Sequence, residues 1–458
     1  MTRRLSRLRA AALTACALIA APVMAQGKAD KPTNIIFVLV DDLRYDSVGF
    51  LTPGLKTPNI DFLAKNGVYF PNAVVTSSLC SPSRATILTG QTARNHGIID
   101  NNNSSEDGLT FFPAYLQQKG YQTGFFGKWH MGSDTDAPRA GFNRWVSFKG
   151  QGTYFPTEQL SPQQIAAGER QMLNVDGQPV KRAGYITDEL TDYAMDWLDK
   201  GRDQSKPFFL YLSHKAVHSD ALPPERYKTQ YADLEIKLPA SMANTPENNK
   251  GKPMWVRNQR NSWHGADFPY HTDQKIQEQV RDIYRTLSPV DESLGRILAY
   301  LKQKGLDRNT MIVFYSDNGF LFGDHGLIDK RNAYEPSVRV PMIAYAPGLL
   351  PKGVTNPAVV RNLDLAPTFL DIAQVAKPTQ MEGTSWLGLA EGKTKPADWK
   401  PGDFVYEYYW EWSFPQSPTT FAIERDRLKY IQYHGIWDIE ELYDLSQDPG
   451  EKNDLAAT

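Results

Sequence analysis

"NIIFVLVDD", residues 34–42, decides the fold. Six apolar residues run unbroken from Ile35 to Val40, and four of them are β-branched. A strand with one wet face would alternate apolar and polar side chains, so the run predicts a strand covered on both faces. "YQTGFFGKW" (121–129), "PFFLYLS" (207–213) and "TMIVFYS" (310–316) have the same character. Between these lie "TPNIDFLAKNG" (57–67), "FFPAYLQQKG" (111–120), "TDYAMDWLDKG" (191–201) and "VDESLGRILAYLKQKG" (290–305). Each shows helical spacing and ends at a glycine, a common helix stop. Alternating strands and helices predict an α/β fold: a large, mostly parallel, mixed sheet sandwiched by helices.

Further along, the pattern changes twice. From Ser219 to His271 the sequence is polar and aperiodic, which predicts a long surface excursion near the site or a solvated insertion. After the Gly/Lys/Pro-rich connector "GTSWLGLAEGKTKPADWKPGD" (383–403) come "FVYEYYWEW", "TTFAIERD" and "LKYIQY". These short strands predict a small C-terminal antiparallel α+β subdomain, giving expected limits of 26–395 for the main domain and 396–458 for the smaller one.

The start of the chain, "MTRRLSRLRAAALTACALIAAPVMAQG", has the order of an export signal: arginines, an apolar run, then small residues ending at Ala25. Residues 1–25 are expected to be removed, leaving a periplasmic or secreted protein. Reading Leu13–Cys16 as a lipoprotein box leaves only about six apolar residues before Cys16, short of the usual core. The apolar run is also too short for a membrane span. Cleavage removes four arginines and no acid, taking the formal charge from −2 to −6 (46 basic residues against 52 acidic). Such a chain has no global attraction for nucleic acid, so an anionic substrate must be met by local cations.

In an open parallel sheet, ligands sit beyond the carboxyl ends of the strands. Asp41 and Asp42 follow the first run, Lys128 and His130 the second, His214 and His218 the third, and Asp317 and Asn318 the fourth. Each group alone also suits a cap, a turn or a solvated edge. Together, three carboxylates and an amide form an all-oxygen set for Ca²⁺ or Mg²⁺. Cys80, in "SLCSPSRATILTG" (78–90), is one of two cysteines; the other, Cys16, lies in the leader. It precedes a predicted helix, with Arg84 one turn along, so it reads either as an inert core thiol or as a reactive group at a helix N-terminus.

At these residues the chain resembles the type I sulfatases of the alkaline phosphatase superfamily. Cys80-Ser-Pro-Ser-Arg84 followed by Leu88-Thr89-Gly90 is similar to their signature for oxidising the cysteine to formylglycine. The resemblance extends through "GKWHMG", "KAVH", "SDNG", "GDHGLIDKRNAYEPSVRVP" and "ELYDLSQDPGEKNDL". It implies an alkaline phosphatase-like fold and a formylglycine derived from Cys80, made by a formylglycine-generating or anaerobic sulfatase-maturating enzyme. It also implies Ca²⁺ on Asp41, Asp42, Asp317, Asn318 and residue 80. Arg84 would hold the aldehyde hydrate, and Lys128 and Lys330 would neutralise the sulfate. His218 would protonate the leaving oxygen, and His130 would take a proton as the aldehyde re-forms. Proline often stands two residues after this histidine in the family, where the chain has Asp220, so His214 stays open as the acid.

"GDHGLIDKRNAYEPSVRVP" and "NLDLAPTFLDIAQV" look most like the exported carbohydrate sulfatases that include N-acetylglucosamine-6-sulfatases. A sulfated glycan is therefore the expected partner, desulfated at a chain end because the C-terminal subdomain and the 219–271 excursion would wall the pocket, with Asp324, His325 and Arg331 as candidate sugar contacts or parts of a solvated loop. Trp129, Trp145, Trp255 and Trp263 are expected to pack in the core, as most tryptophans do, with stacking on sugars as the other reading, and "RNQRNSWHG" (257–265) supplies cations suited to a polysulfated chain. Alternatives are an aryl sulfatase, a phosphomonoester or phosphonate hydrolase of the same superfamily, and a non-catalytic glycan binder.

Overall fold

A computed structural model of the chain describes residues 33–102, 105–131, 135–268 and 272–456. The expected leader lies outside them. Ten strands form one sheet in the order Val354–Thr355, Val68–Tyr69, Ile343–Tyr345, Thr310–Ser316, Asn34–Val40, Phe208–Ser213, Gln122–Lys128, Arg144–Phe148, Met172–Val175, Gln178–Lys181. The five strands from Thr310–Ser316 to Arg144–Phe148 are parallel, with Phe37 beside Tyr211 and Val38 beside Phe314. Antiparallel neighbours flank this block on both sides, so the sheet is mixed as expected.

Residues of opposite parity on the Asn34–Val40 strand enter different cores, which explains its lack of polar alternation. Ile35, Phe37 and Leu39 join Phe125, Tyr211 and Val313 under helices Cys80–Thr89, Phe112–Gln118 and Leu365–Ile372. Ile36, Val38 and Val40 pack with Leu210, Leu212 and Phe314 under Pro58–Asn66, Ile186–Asp196 and the long helix Ile276–Gln303. Burying a side chain of this size stabilises by about 1.5–3 kcal/mol.

A separate four-stranded antiparallel sheet, Phe404–Tyr408, Thr419–Arg425, Leu428–His434 and Glu441–Asp444, closes the C-terminal part. Its Tyr406, Tyr408, Ile431 and Tyr443 pack against Leu79, Trp255, Leu321 and Tyr334. The 219–271 stretch is packed rather than solvated in several places: Trp255, Val256, Arg260 and His264 are all buried. Among the described residues no helix is long and apolar enough to cross a membrane.

Candidate active site

Because the central strands are parallel, their carboxyl ends share one edge, and the residues that follow them meet there. Helix Cys80–Thr89 starts at this edge after an extended Leu79 and stops at Gly90, whose φ of 65° is a left-handed turn suited to glycine. Gly127 is needed for a different reason. A Cβ there would lie 1.7 Å from the carbonyl oxygen of Ser213, so only glycine lets these two strand ends approach. Asp42 and His130, though not glycines, adopt φ values of 61° and 56°, a conformation that clusters at functional sites.

Cys80 Sγ lies 3.0 Å from Lys330 Nζ, 3.5 Å from Asp41 Oδ1 and 3.7 Å from Lys128 Nζ. Lys128 ion-pairs with Asp41 and donates to Gln151 Oε1 at 2.6 Å, while Lys330 ion-pairs with Asp42. Arg84 is locked from several sides. Its Nε and Nη2 sit 2.9 and 2.8 Å from Asp317 Oδ2, and Nη1 donates to the Lys128 carbonyl at 2.6 Å and Ser213 Oγ at 2.8 Å. Three buried acids thus face three buried bases. Such a cluster survives burial only when fully paired, since removing one partner strands a charge.

Electrostatics follow from that packing. Burial, then the nearby Asp41 charge, pushes the Cys80 thiol up to about 12. Burial pushes Asp41 up, but Lys128, His218, Arg84 and Lys330 outweigh it and hold the carboxyl well below the usual range. Burial and Asp41 push Asp317 up to about 7, the response of a buried carboxyl crowded by a second acid.

Asp41, Asp42 and Asp317 bring oxygens within 4.8 Å of one another. Asn318 joins them: its Nδ2 donates to Asp42 Oδ1 at 2.6 Å, and its Oδ1 is buried with no hydrogen-bond partner. An unpaired buried acceptor costs about 1–3 kcal/mol. A hard divalent cation would satisfy it, and the all-oxygen set fits such an ion.

The three histidines differ. His218 engages the Ser219 carbonyl through Nδ1, at 2.5 Å, leaving Nε2 3.8 Å from Asp42 Oδ2. His130 is buried beside Ser81, whose hydroxyl bonds its carbonyl. Burial, with Lys128 next in weight, holds both rings well below the ordinary histidine value. His214 is fully enclosed, its ring nitrogens have no hydrogen-bond partner among the described residues, and burial pulls it down to about 3. It is placed as a core residue.

Asp324, His325 and Arg331 are all buried and engaged by protein groups. Asp324 pairs with Arg44 at 2.6 Å, and the His325 ring packs tilted against Tyr334 with centroids 4.3 Å apart. Arg331 pairs with Asp329 and Glu411 and lies 3.6 Å over the Phe414 ring, tying the C-terminal sheet's Tyr408–Thr419 loop to the segment that carries Lys330. Trp129 and Trp145 pack together in the core and Trp255 packs on Tyr433; Trp263 is half exposed. Trp410, Trp412 and Trp437 are exposed on the C-terminal part. Arg260 pairs with Asp267 and is buried, whereas Arg257 is exposed.

Two residues of the cluster escaped the sequence reading. Gln151 follows the Arg144–Phe148 strand, so the strand-end rule would have flagged it had that strand been recognised. Lys215, in "KAVH", places Nζ 4.7 Å over the Tyr154 ring, and burial, then Lys128, pulls it down to about 8.

Comparison with known proteins matches residues 33–375 to the sulfatase family and residues 323–458 to the C-terminal family of N-sulphoglucosamine sulphohydrolase. An N-acetylglucosamine-6-O-sulfatase of Bacteroides thetaiotaomicron is 30% identical, over 94% of this chain and 84% of its own. An N-acetylglucosamine-6-sulfatase of Capra hircus is 29% identical over 95% and 82%. A solved structure in complex with its substrate D-glucosamine-2-N,6-O-disulfate superposes with a TM-score of 0.80 at 30% identity, covering 93% of each chain. With that match over most of its length and the cysteine, cations and carboxylates gathered at one sheet edge, the chain belongs to the sulfatase family of the alkaline phosphatase superfamily and is a sulfuric ester hydrolase.

Proposed function

We propose that the chain is an exported carbohydrate sulfatase that removes a sulfate ester from the end of a glycan, using Ca²⁺ and a formylglycine made from Cys80. The observation that carries this reading is the pair of ammonium groups, Lys330 and Lys128, 3.0 and 3.7 Å from Cys80 Sγ. The kinship with N-acetylglucosamine-6-sulfatases supports a sugar as the alcohol part. N-acetylglucosamine 6-sulfate is the first candidate.

When present, the hydrated aldehyde at position 80 supplies the attacking hydroxyl and Ca²⁺ supplies charge toward the sulfate oxygens. Asp41, Asp42, Asp317 and Asn318 would hold the ion. Lys128 and Lys330 bind the sulfate and meet the charge that grows on its oxygens, a preorganised arrangement that needs no rearrangement during the reaction. Arg84, fixed by Asp317 and Ser213, orients position 80. His218 presents Nε2 to the leaving alcohol oxygen, its ring set by the Nδ1–H donated to the Ser219 carbonyl, and acts as the acid in its imidazolium form, which a bound anionic sulfate favours over the neutral ring of the free site. His130 would accept the proton that the group at position 80 gives up when sulfate leaves. Burial of the cluster excludes bulk water and strengthens each of these interactions.

The reading also requires a maturating enzyme for Cys80 and export through residues 1–25, with 26–395 and 396–458 as catalytic domain and C-terminal subdomain. Sulfate release from a panel of sulfated sugars by the matured protein tests it. Release from a sugar supports the proposal; phosphate or phosphonate hydrolysis without sulfate release contradicts it.

A further inference from the structure

A cavity of about 190 Å³ opens beside the charge cluster, reaching Asp42 and Val217. One wall is the turn after His218, from Ser219 to Leu222. The other is the start of the long helix, with Gln279, Asp282 and Ile283, and Phe320 closes the floor. Its surface is mainly apolar, three carboxylates (Asp42, Asp220 and Asp282) reach it, and among its described residues there is no lysine, arginine or histidine. Asp282 is held by Arg285 Nη1 at 2.8 Å and Gln274 Nε2 at 2.9 Å. Asp220 is exposed and makes no hydrogen bond or ion pair among the described residues. It occupies the position where the sequence departs from the proline common in the family.

None of the site cations lines this space; Lys215, which feels the Asp220 charge, is buried over the Tyr154 ring. Arg84, Lys128 and Lys330 are each matched by Asp317, Asp41 and Asp42, and together they are arranged for one sulfate. A second sulfate on the sugar seated beyond His218 would instead face the solvent-exposed Asp220 carboxylate across this cavity. Excluding a competitor by an unfavourable charge is a common route to specificity.

We infer that Asp220 is a specificity-determining residue that restricts this chain to sugars whose leaving ring carries no second sulfate, with a neutral acetamido or hydroxyl substituent against Leu222, Ile283 and Phe320. The inference rests on the carbohydrate sulfatase reading above. It separates this chain from the relative whose substrate is a disulfated glucosamine.

The test compares kcat/KM of the full-length matured protein on pairs of sugars that differ in a second sulfate, beginning with N-acetylglucosamine 6-sulfate and glucosamine 2-N,6-O-disulfate. Wild type should favour the singly sulfated member by about tenfold or more, equivalent to about 1.4 kcal/mol. Asp220→Asn should narrow the ratio and Asp220→Lys should reverse it. Added salt should narrow the wild-type ratio as well, because screening acts on a charge effect and not on shape. Equal or better cleavage of the disulfated members, or a ratio unmoved by Asp220→Asn and by salt, overturns the inference while leaving the sulfatase reading intact. Absence of release from every pair, by protein whose Cys80 is converted, overturns that reading and this inference with it.

Discussion

Lys330 Nζ stands 3.0 Å from Cys80 Sγ while its ammonium pairs with Asp42, so one cation touches both the thiol and the carboxylate cluster. Replacing it should damage transition-state stabilisation more than substrate affinity. Lys330→Ala is expected to lower kcat by about 10²–10³, the usual cost of losing one preorganised charge contact. Steady-state kinetics check this; a change confined to KM would place Lys330 in binding alone.

His218 should matter in proportion to the basicity of the leaving oxygen. His218→Ala is expected to reduce sugar-sulfate hydrolysis by about 10²–10⁴ and to affect an activated aryl sulfate far less, because a nitrophenolate leaves without a proton. His214→Phe, at a fully enclosed position, should alter both substrates alike through stability. Equal losses on both substrates in His218→Ala would remove it as the acid.

Crowded carboxylates around an unpaired Asn318 Oδ1 predict a stabilising ion. Chelation should abolish activity and lower the Tm, and Ca²⁺ should restore both, since a ligand that binds only the folded state stabilises it. Asn318→Leu should raise the Ca²⁺ concentration needed for half-maximal stabilisation. A Tm indifferent to chelator and to Ca²⁺ would show that the oxygen set holds no ion.

Asp329 links the Lys330 segment to His264 and Arg331. Burial pushes its carboxyl up, but His264 and Arg331 outweigh it and hold it well below the usual range. A depressed folded-state value means stability that is complete above the ordinary carboxylate range, about 3.9, and lost as pH falls below it. The Tm gap between wild type and Asp329→Asn should therefore be widest near neutrality, where breaking a buried pair costs about 3–5 kcal/mol, and shrink toward pH 3. Thermal melts across pH decide; a gap independent of pH would contradict the ionic role.

The central strands were legible because each is buried on both faces and so spells a continuous apolar run, as Ile35–Val40 does. The site was legible because parallel topology sends Asp41, Lys128, His218 and Asp317 to one edge. The hairpin Met172–Val175 and Gln178–Lys181 was missed although its Asp176-Gly177 turn is a hairpin signal. The tryptophans could not be sorted from sequence for a physical reason. Trp129, Trp145 and Trp255 are flanked by residues no more apolar than those around Trp410 and Trp412, and only tertiary packing separates core from surface. The polar 219–271 text likewise hides anchors, since Trp255 and His264 are buried by the C-terminal sheet, a contact between segments far apart in sequence.

Peptide mass spectrometry of the fragment containing Cys80, on protein from its native producer and paired with sulfate release from sulfated sugars, tests the central claim most directly. Conversion of the thiol to an aldehyde, with sulfate released in proportion to the converted fraction, is the expected result. Full activity from an unconverted thiol, or a converted protein that releases no sulfate, would contradict it.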